Sequence, residues 1–182
     1  MGNYFRLPLA YAGATQHSWE EGENIMAETL GSLCDKLTIV KLKQYHSTDQ
    51  LMLKSLGTQE ANLCEEIDSF IANALTGNIP PEKLTFSSNK VYKKKGNEFR
   101  AVAGNIGNVF AELAGINCDL WHEQEKAYEF EKVPVGEKNE VVKQLALLNL
   151  KRNQCIDAID KKFQQQIINA SSPRRVGNQW RF

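Results

Sequence analysis

At 182 residues, 42% of them hydrophobic, the chain can close one sizeable core, and a single domain is expected over residues 1–170 with a tail at 171–182. Its 22 basic and 22 acidic side chains cancel, so no global field draws it to nucleic acid or to a membrane surface, and any anion site must be local. No apolar run approaches a membrane span, only Arg6 precedes a short broken apolar stretch where a secretory signal would sit, and Arg6 also stands where a myristoylation signal needs Ser or Thr; a cytoplasmic protein is expected.

An irregular N-terminal segment leads to a first predicted helix over about 24–46, with Met26, Leu30, Leu33, Leu37 and Val40 on one face. "STD" at 47–49 supplies an N-cap for a second helix over about 50–75, striped by Leu56, Leu63, Ile67, Phe70 and Ala74. Gly77, Pro80 and Pro81 stop it. A basic loop follows, "NKVYKKK" at 89–95, in which Lys90, Lys93, Lys94 and Lys95 surround Tyr92. A third helix is expected over about 98–131, with Val102, Ile106, Val109, Leu113, Ile116 and Leu120 inward. Pro134 and Gly136 break the chain before a fourth helix over about 137–170, aligned on Leu145, Leu148, Ile156, Ile159 and Phe163. The tail "PRRVGNQWRF" joins Arg174, Arg175 and Arg181 to Trp180 and Phe182. With no strand alternation and no repeat, the pattern predicts an all-α, antiparallel four-helix bundle. Cys34, Cys64, Cys118 and Cys155 each fall within a predicted helix, without C-x-x-C spacing. They read as reduced core cysteines rather than as four zinc ligands meeting at one level.

Several polar residues break the stripes. In the fourth helix the apolar series Leu145, Leu148, Ile156, Ile159, Phe163 is interrupted by Arg152, with Asn149 and Asn153 beside it. A buried guanidinium cannot shed its charge, so an acid or a bound anion must face it; Asp35, Glu112 and Asp119 are the protein's candidates. Asn105, Asn108, Glu112, Asp119 and His122 form a polar strip on the third helix, while Asn117 falls on its apolar side. On the first helix Asp35 and His46 bracket Ile39 and Leu42 on one stripe. A polar network that only fixes helix register accounts for such residues equally well, and His46 alone reads best as a cation at a helix C-terminus.

Enzyme templates fit poorly. A di-iron bundle needs two Glu-x-x-His pairs, and Asp119-x-x-His122 is the nearest approach to one. Acid pairs at i, i+3, namely Glu20/Glu23, Glu65/Asp68 and Asp157/Asp160, keep a magnesium-dependent phosphohydrolase in view. No Walker, dinucleotide or G-x-S-x-G motif occurs, and no Cys–His pair is evident.

The motifs "GSLCDKLTIVKLKQYH" (31–46), "ELAGINCDLWHEQEKA" (112–127) and "NLKRNQCIDAID" (149–160) resemble those of a family of uncharacterised all-helical proteins from bacteria and their phages, described as a domain of unknown function. The resemblance covers the first, third and fourth helices. It implies importance for Asp35, Lys36 and His46, for Glu112, Asn117, Trp121, His122 and Glu125, and for Asn149, Arg152, Asn153, Asp157 and Asp160. It implies an association with sugar-transfer genes and no particular activity.

Three functions are therefore expected in order. The first is non-catalytic binding of a small anionic ligand, such as a nucleotide, cyclic nucleotide or sugar nucleotide, by a homo-oligomeric bundle without a cofactor. Asp35, Lys36, His46, Glu112 and His122 would line its pocket; Arg152 would neutralise charge, Asn117, Asn149 and Asn153 would read polar edges, and Trp121 or Tyr92 would stack a ring. In a phage, such a protein would suit the sequestering of a host nucleotide signal. The second is a magnesium-dependent hydrolase with His46 or His122 as acid or base. The third is an interaction bundle.

Overall fold

Thr29 opens the first helix by accepting a hydrogen bond from the Ser32 amide at 3.3 Å, while the Ser32 hydroxyl accepts from the Thr29 amide at 3.0 Å. This reciprocal cap satisfies amides that a helix start leaves orphaned. It sets α1 at Leu30–His46. In the computed structural model, which describes residues 27–86 and 101–172, α2 is Gln50–Thr76, α3 is Ile106–Tyr128 and α4 is Lys138–Ser171. Single 3₁₀ turns lie at Pro81–Lys83 and Phe130–Lys132.

The all-α bundle read from periodicity is the observed architecture, with no strand among the described residues. Asp49 caps α2 as its position predicts, accepting from the Leu51 and Met52 amides at 2.8 and 3.2 Å. Gly77 ends it in the left-handed conformation, at φ 81°, where a Cβ would be strained. Two helix starts differ from expectation. Residues 27–29 are not helical, so α1 begins at its Thr29 cap rather than near Asn24. Likewise α3 begins at Ile106 instead of near Glu98. Gly104, at φ 90°, turns the chain into Asn105, whose side chain accepts from the Asn108 amide at 3.0 Å. Asn105 and Asn108, two residues of the polar strip, thus form the helix cap.

α1 is the central helix and touches the other three. It runs antiparallel to α2, joined to it by hydrogen bonds from Lys41 and Gln44 to Glu60 at 3.0 and 2.8 Å. It also runs antiparallel to α4: Gly31 meets Asp160 while Asp35, one turn later, meets Arg152. One hydrophobic cluster draws on all four helices, through Leu30, Leu33, Phe70, Leu113, Ile116, Ile159 and Phe163. The Phe70 and Phe163 rings lie 6.1 Å apart, tying α2 to α4. The cysteines scatter: Cys155 is buried, Cys34 and Cys118 half-buried, and Cys64, against expectation, exposed. No helix among the described residues is long and apolar enough to cross a membrane. The N-terminal segment, the lysine-rich loop with Tyr92, the acid pair Glu20/Glu23 and the basic aromatic tail lie outside the described residues.

Candidate functional site

Arg152 interrupts the apolar stripe of α4 because it reaches α1. Its Nε donates to Asp35 Oδ1 at 2.7 Å and its Nη2 to Asp35 Oδ2 at 2.5 Å. Such a two-pronged pair fixes both side chains in one plane. Asn117 of α3 adds a third donor, with Nδ2 at 2.9 Å from Asp35 Oδ1 and 2.7 Å from Thr38 Oγ1. The Thr38 hydroxyl donates in turn to the Asp35 carbonyl at 2.8 Å. Three helices are thereby pinned at one level. Asp35 is almost fully buried, whereas the Arg152 side chain keeps 29% of its surface. It is therefore partly open rather than enclosed, as its place in the stripe had suggested. The hydrogen bonds to Asp35 raise the guanidinium's proton affinity, and burial works against that rise.

Of the three acids that faced Arg152 on paper, Asp35 is the partner. Glu112 is exposed and lines a shallow hollow with Lys151 and Gln154; it stands five residues from Asn117, which rotates it about 140° around α3. Asp119 is exposed. Lys36 points away from its neighbour Asp35 and pairs with Glu28 at 2.8 Å. The Asn149 and Asn153 amides donate to carbonyls one turn back in their own helix, Leu145 at 3.0 Å and Asn149 at 2.7 Å. Both side-chain amides are thus engaged within α4, and Asn149 borders the space beside the guanidinium.

That space is a cleft of about 550 Å³ between α1, α3 and α4, bordered by Ile39, Leu42, Lys43, Asn117, Leu120, Trp121, Gln124, Glu125, Tyr128, Asn149 and Arg152. Its size suits a small molecule. Nε and Nη2 of Arg152 are taken by Asp35, so Nη1 is not engaged by that pair, and Arg152 borders the cleft. Trp121 and Lys43 also border an adjoining hollow of about 730 Å³ under the α1–α2 turn. His46, the last residue of α1, lies flat on Trp121, with ring centroids 4.7 Å apart and planes 13° from parallel. His122 is exposed, its ring edge-on to His46 at 6.0 Å. The Trp121 indole donates to Glu125 Oε1 at 2.9 Å and His122 Nδ1 lies 3.3 Å from Oε2. These contacts hold the Glu125 carboxyl below the usual carboxylate range.

Thr38, Lys43, Gln124 and Tyr128 were not singled out in the sequence. Thr38 had a readable signal, since it lies one turn beyond Asp35 on the same face. Lys43 had none, because an exposed lysine on a helix is ordinary.

The acid pair Asp157/Asp160 is buried on α4, and Asp160 faces the start of α1. Asp160 Oδ1 accepts from the Gly31 amide at 2.6 Å, while Oδ2 has no hydrogen-bond partner. Burial pushes the Asp160 carboxyl up to about 6, Asp157 adds to the push, and the Gly31 amide and Thr29 hydroxyl hold it back. The unfolded chain titrates this group near the ordinary ~3.9, so its protonated form is favoured by folding. Its contribution to stability is then fullest below about pH 4 and declines up to about pH 6, by at most roughly 1.4 kcal/mol per pH unit. Asp160→Asn is expected to equal the wild type near pH 4 and to exceed it at pH 7.5 in thermal melting. A difference between the two that does not vary with pH contradicts this assignment. Among the described residues, no three His, Cys, Asp or Glu side chains converge as metal ligands.

Neither the family models nor the curated proteins nor the solved structures compared with this chain give a match.

Proposed function

We propose that this protein binds, without converting it, a small molecule that carries one anionic group and a planar ring, in the cleft beside Arg152. The observation that carries this reading is the arrangement of Arg152 itself: Asp35 fixes the guanidinium through Nε and Nη2, does not engage Nη1, and the side chain borders a cleft that Lys43 and Trp121 also line. A guanidinium held in place loses little entropy when it takes up a ligand oxygen. Asp35 has already neutralised its charge, however, so among the described residues Lys43 is the uncompensated cation of the cleft, and Glu125 sets a negative limit nearby. That balance favours one negative charge over a polyphosphate. Within the nucleotide class a cyclic nucleotide, whose phosphodiester carries a single charge, fits better than a nucleoside monophosphate, which carries about −1.5 to −2 at pH 7, or a nucleotide sugar. Tyr128 and the Trp121 edge offer apolar surface for the ring, and Asn149 and Gln124 offer polar atoms for its edges. Such a protein acts by sequestering its ligand.

The test is thermal melting with a panel of nucleotides, cyclic nucleotides and nucleotide sugars, each with and without magnesium, followed by chromatography of the recovered ligand. A raised melting temperature with intact ligand is expected. Magnesium-dependent conversion would overturn the non-catalytic reading in favour of a phosphohydrolase. Lys43→Ala is expected to weaken binding by roughly 10- to 100-fold, the range for losing one charged hydrogen bond, and to leave the ligand-free melting temperature unchanged because Lys43 is exposed. One observation favours a second reading: Asp35, Arg152, Asn117 and Thr38 largely satisfy one another, as a network that only sets helix register would. Silence across the whole panel would select it.

A further inference from the structure

A second chemical feature lies along the exposed side of α3, apart from the Arg152 pair. Cys118, His122 and Glu125 are spaced at i, i+4 and i+7, which places them within about 60° of one another around the helix. The structure brings them into line: Cys118 Sγ is 3.8 Å from His122 Nε2, and His122 Nδ1 is 3.3 Å from Glu125 Oε2. Thiol, imidazole and carboxylate stand in the order of a nucleophile, its base and the group that orients the base. Glu125 is itself fixed by the Trp121 indole, and His46 of α1, stacked on Trp121, stands edge-on to His122 at 6.0 Å.

We propose that Cys118 is a nucleophilic thiol, served by His122 as base and by Glu125 as the positioning residue, that undergoes exchange with low-molecular-weight disulfides. The Cys118 sulfur attacks one sulfur of the disulfide; a new S–S bond forms, the original one breaks, and the second half leaves as a thiolate. His122 Nε2 takes the Cys118 proton and returns it to that leaving thiolate, so the products are a mixed disulfide on Cys118 and one free thiol. No further oxidant is needed. The place of these residues in the helix favours this reaction over acyl transfer. All three sit within the body of α3, where backbone amides are committed to intrahelical bonds and cannot stabilise an oxyanion. Exchange at sulfur requires no such donors.

The chain carries its own controls. Cys64 is exposed on α2. Burial pushes the Cys34 thiol up to about 11 and that of Cys155 up to about 12, which makes both unreactive. The experiment treats the full chain with glutathione disulfide at pH 6.5 and pH 8.5, quenches with acid, and follows each cysteine by peptide mass spectrometry. Taking the ratio of the two rates at one cysteine cancels its accessibility. For an ordinary thiol the rate drops about 50-fold over this interval, and exposed Cys64 is the comparison within the same chain. At Cys118 the drop is expected to be several-fold shallower than at Cys64, because the base lies against the thiol, and His122→Gln should remove the difference. Unreacted Cys155 in the same samples reports that the variant remains folded. A fall at Cys118 as steep as that at Cys64, or a shallow fall that survives His122→Gln, would overturn the proposal.

Discussion

Arg152→Met is expected to destabilise the protein by about 3 kcal/mol, near the lower end of the range for stranding one partner of a buried ion pair. For a chain of this size that corresponds to a fall of about 10 °C in melting temperature. The cost arises at Asp35, which is 4% exposed and would keep only the Asn117 amide as a side-chain donor. Asp35→Ala should cost less, about 2 kcal/mol, because the partly open guanidinium can turn into the cleft and be solvated. The double variant Asp35→Leu/Arg152→Met removes both charges, and Asn117 retains Thr38 at 2.7 Å. It is expected to recover to within about 1 kcal/mol of the wild type. A double variant no more stable than Arg152→Met alone would show that the pair is not the electrostatic unit its geometry indicates. Urea denaturation of the four proteins provides the comparison.

Gly31→Ala is expected to cost about 2–4 kcal/mol, the range for overpacking that displaces backbone. A Cβ at position 31 would lie 2.5 Å from the Ile156 carbonyl oxygen and 2.9 Å from Asp160 Oδ1. The carbonyl belongs to the α4 backbone and cannot swing aside, so the start of α1 must withdraw. That movement stretches the bond from the Gly31 amide to Asp160 and, one turn further, disturbs the meeting of Asp35 with Arg152. Gly57 supplies the opposite sign. It lies inside α2 with no atom within 4 Å of a built Cβ, so Gly57→Ala should stabilise by about 0.5–1 kcal/mol through helix propensity alone. Equal effects from the two substitutions would contradict the close approach of α1 to α4.

The helices were legible wherever apolar stripes met clear stops. Asp49, Gly77 and Pro134 bound α2 and α4 to within a residue of where the structure has them. The starts of α1 and α3 were not, because apolar periodicity extends outward until a cap interrupts it. The caps are Thr29 with Ser32 and Asn105 with Asn108. Neither pair has the acidic third residue that makes a capping box conspicuous. Arg152 stood out because a charge within an apolar stripe demands a partner. The sequence left three acids open, since the choice depends on how far α1 slides along α4. That register is set at Gly31, a residue whose importance comes from the side chain it lacks. Lys36 entered the candidate set with Asp35 through the motif resemblance; one residue from Asp35 is about 100° of rotation, and its side chain pairs with Glu28. The Cys118–His122–Glu125 line follows from spacing but is invisible in a search for Cys–His pairs that ignores helical phase.

The binding reading rests most directly on the cleft beside Trp121, and the indole N–H resonance of that residue is the measurement to make. Trp121→Phe assigns it among the three tryptophans of the chain. Titration with a cyclic nucleotide should shift it saturably, and Lys43→Ala should move the midpoint to roughly 10- to 100-fold higher concentration. An indole signal that stays in place across the nucleotide panel, or a shift indifferent to Lys43, would contradict binding in this cleft.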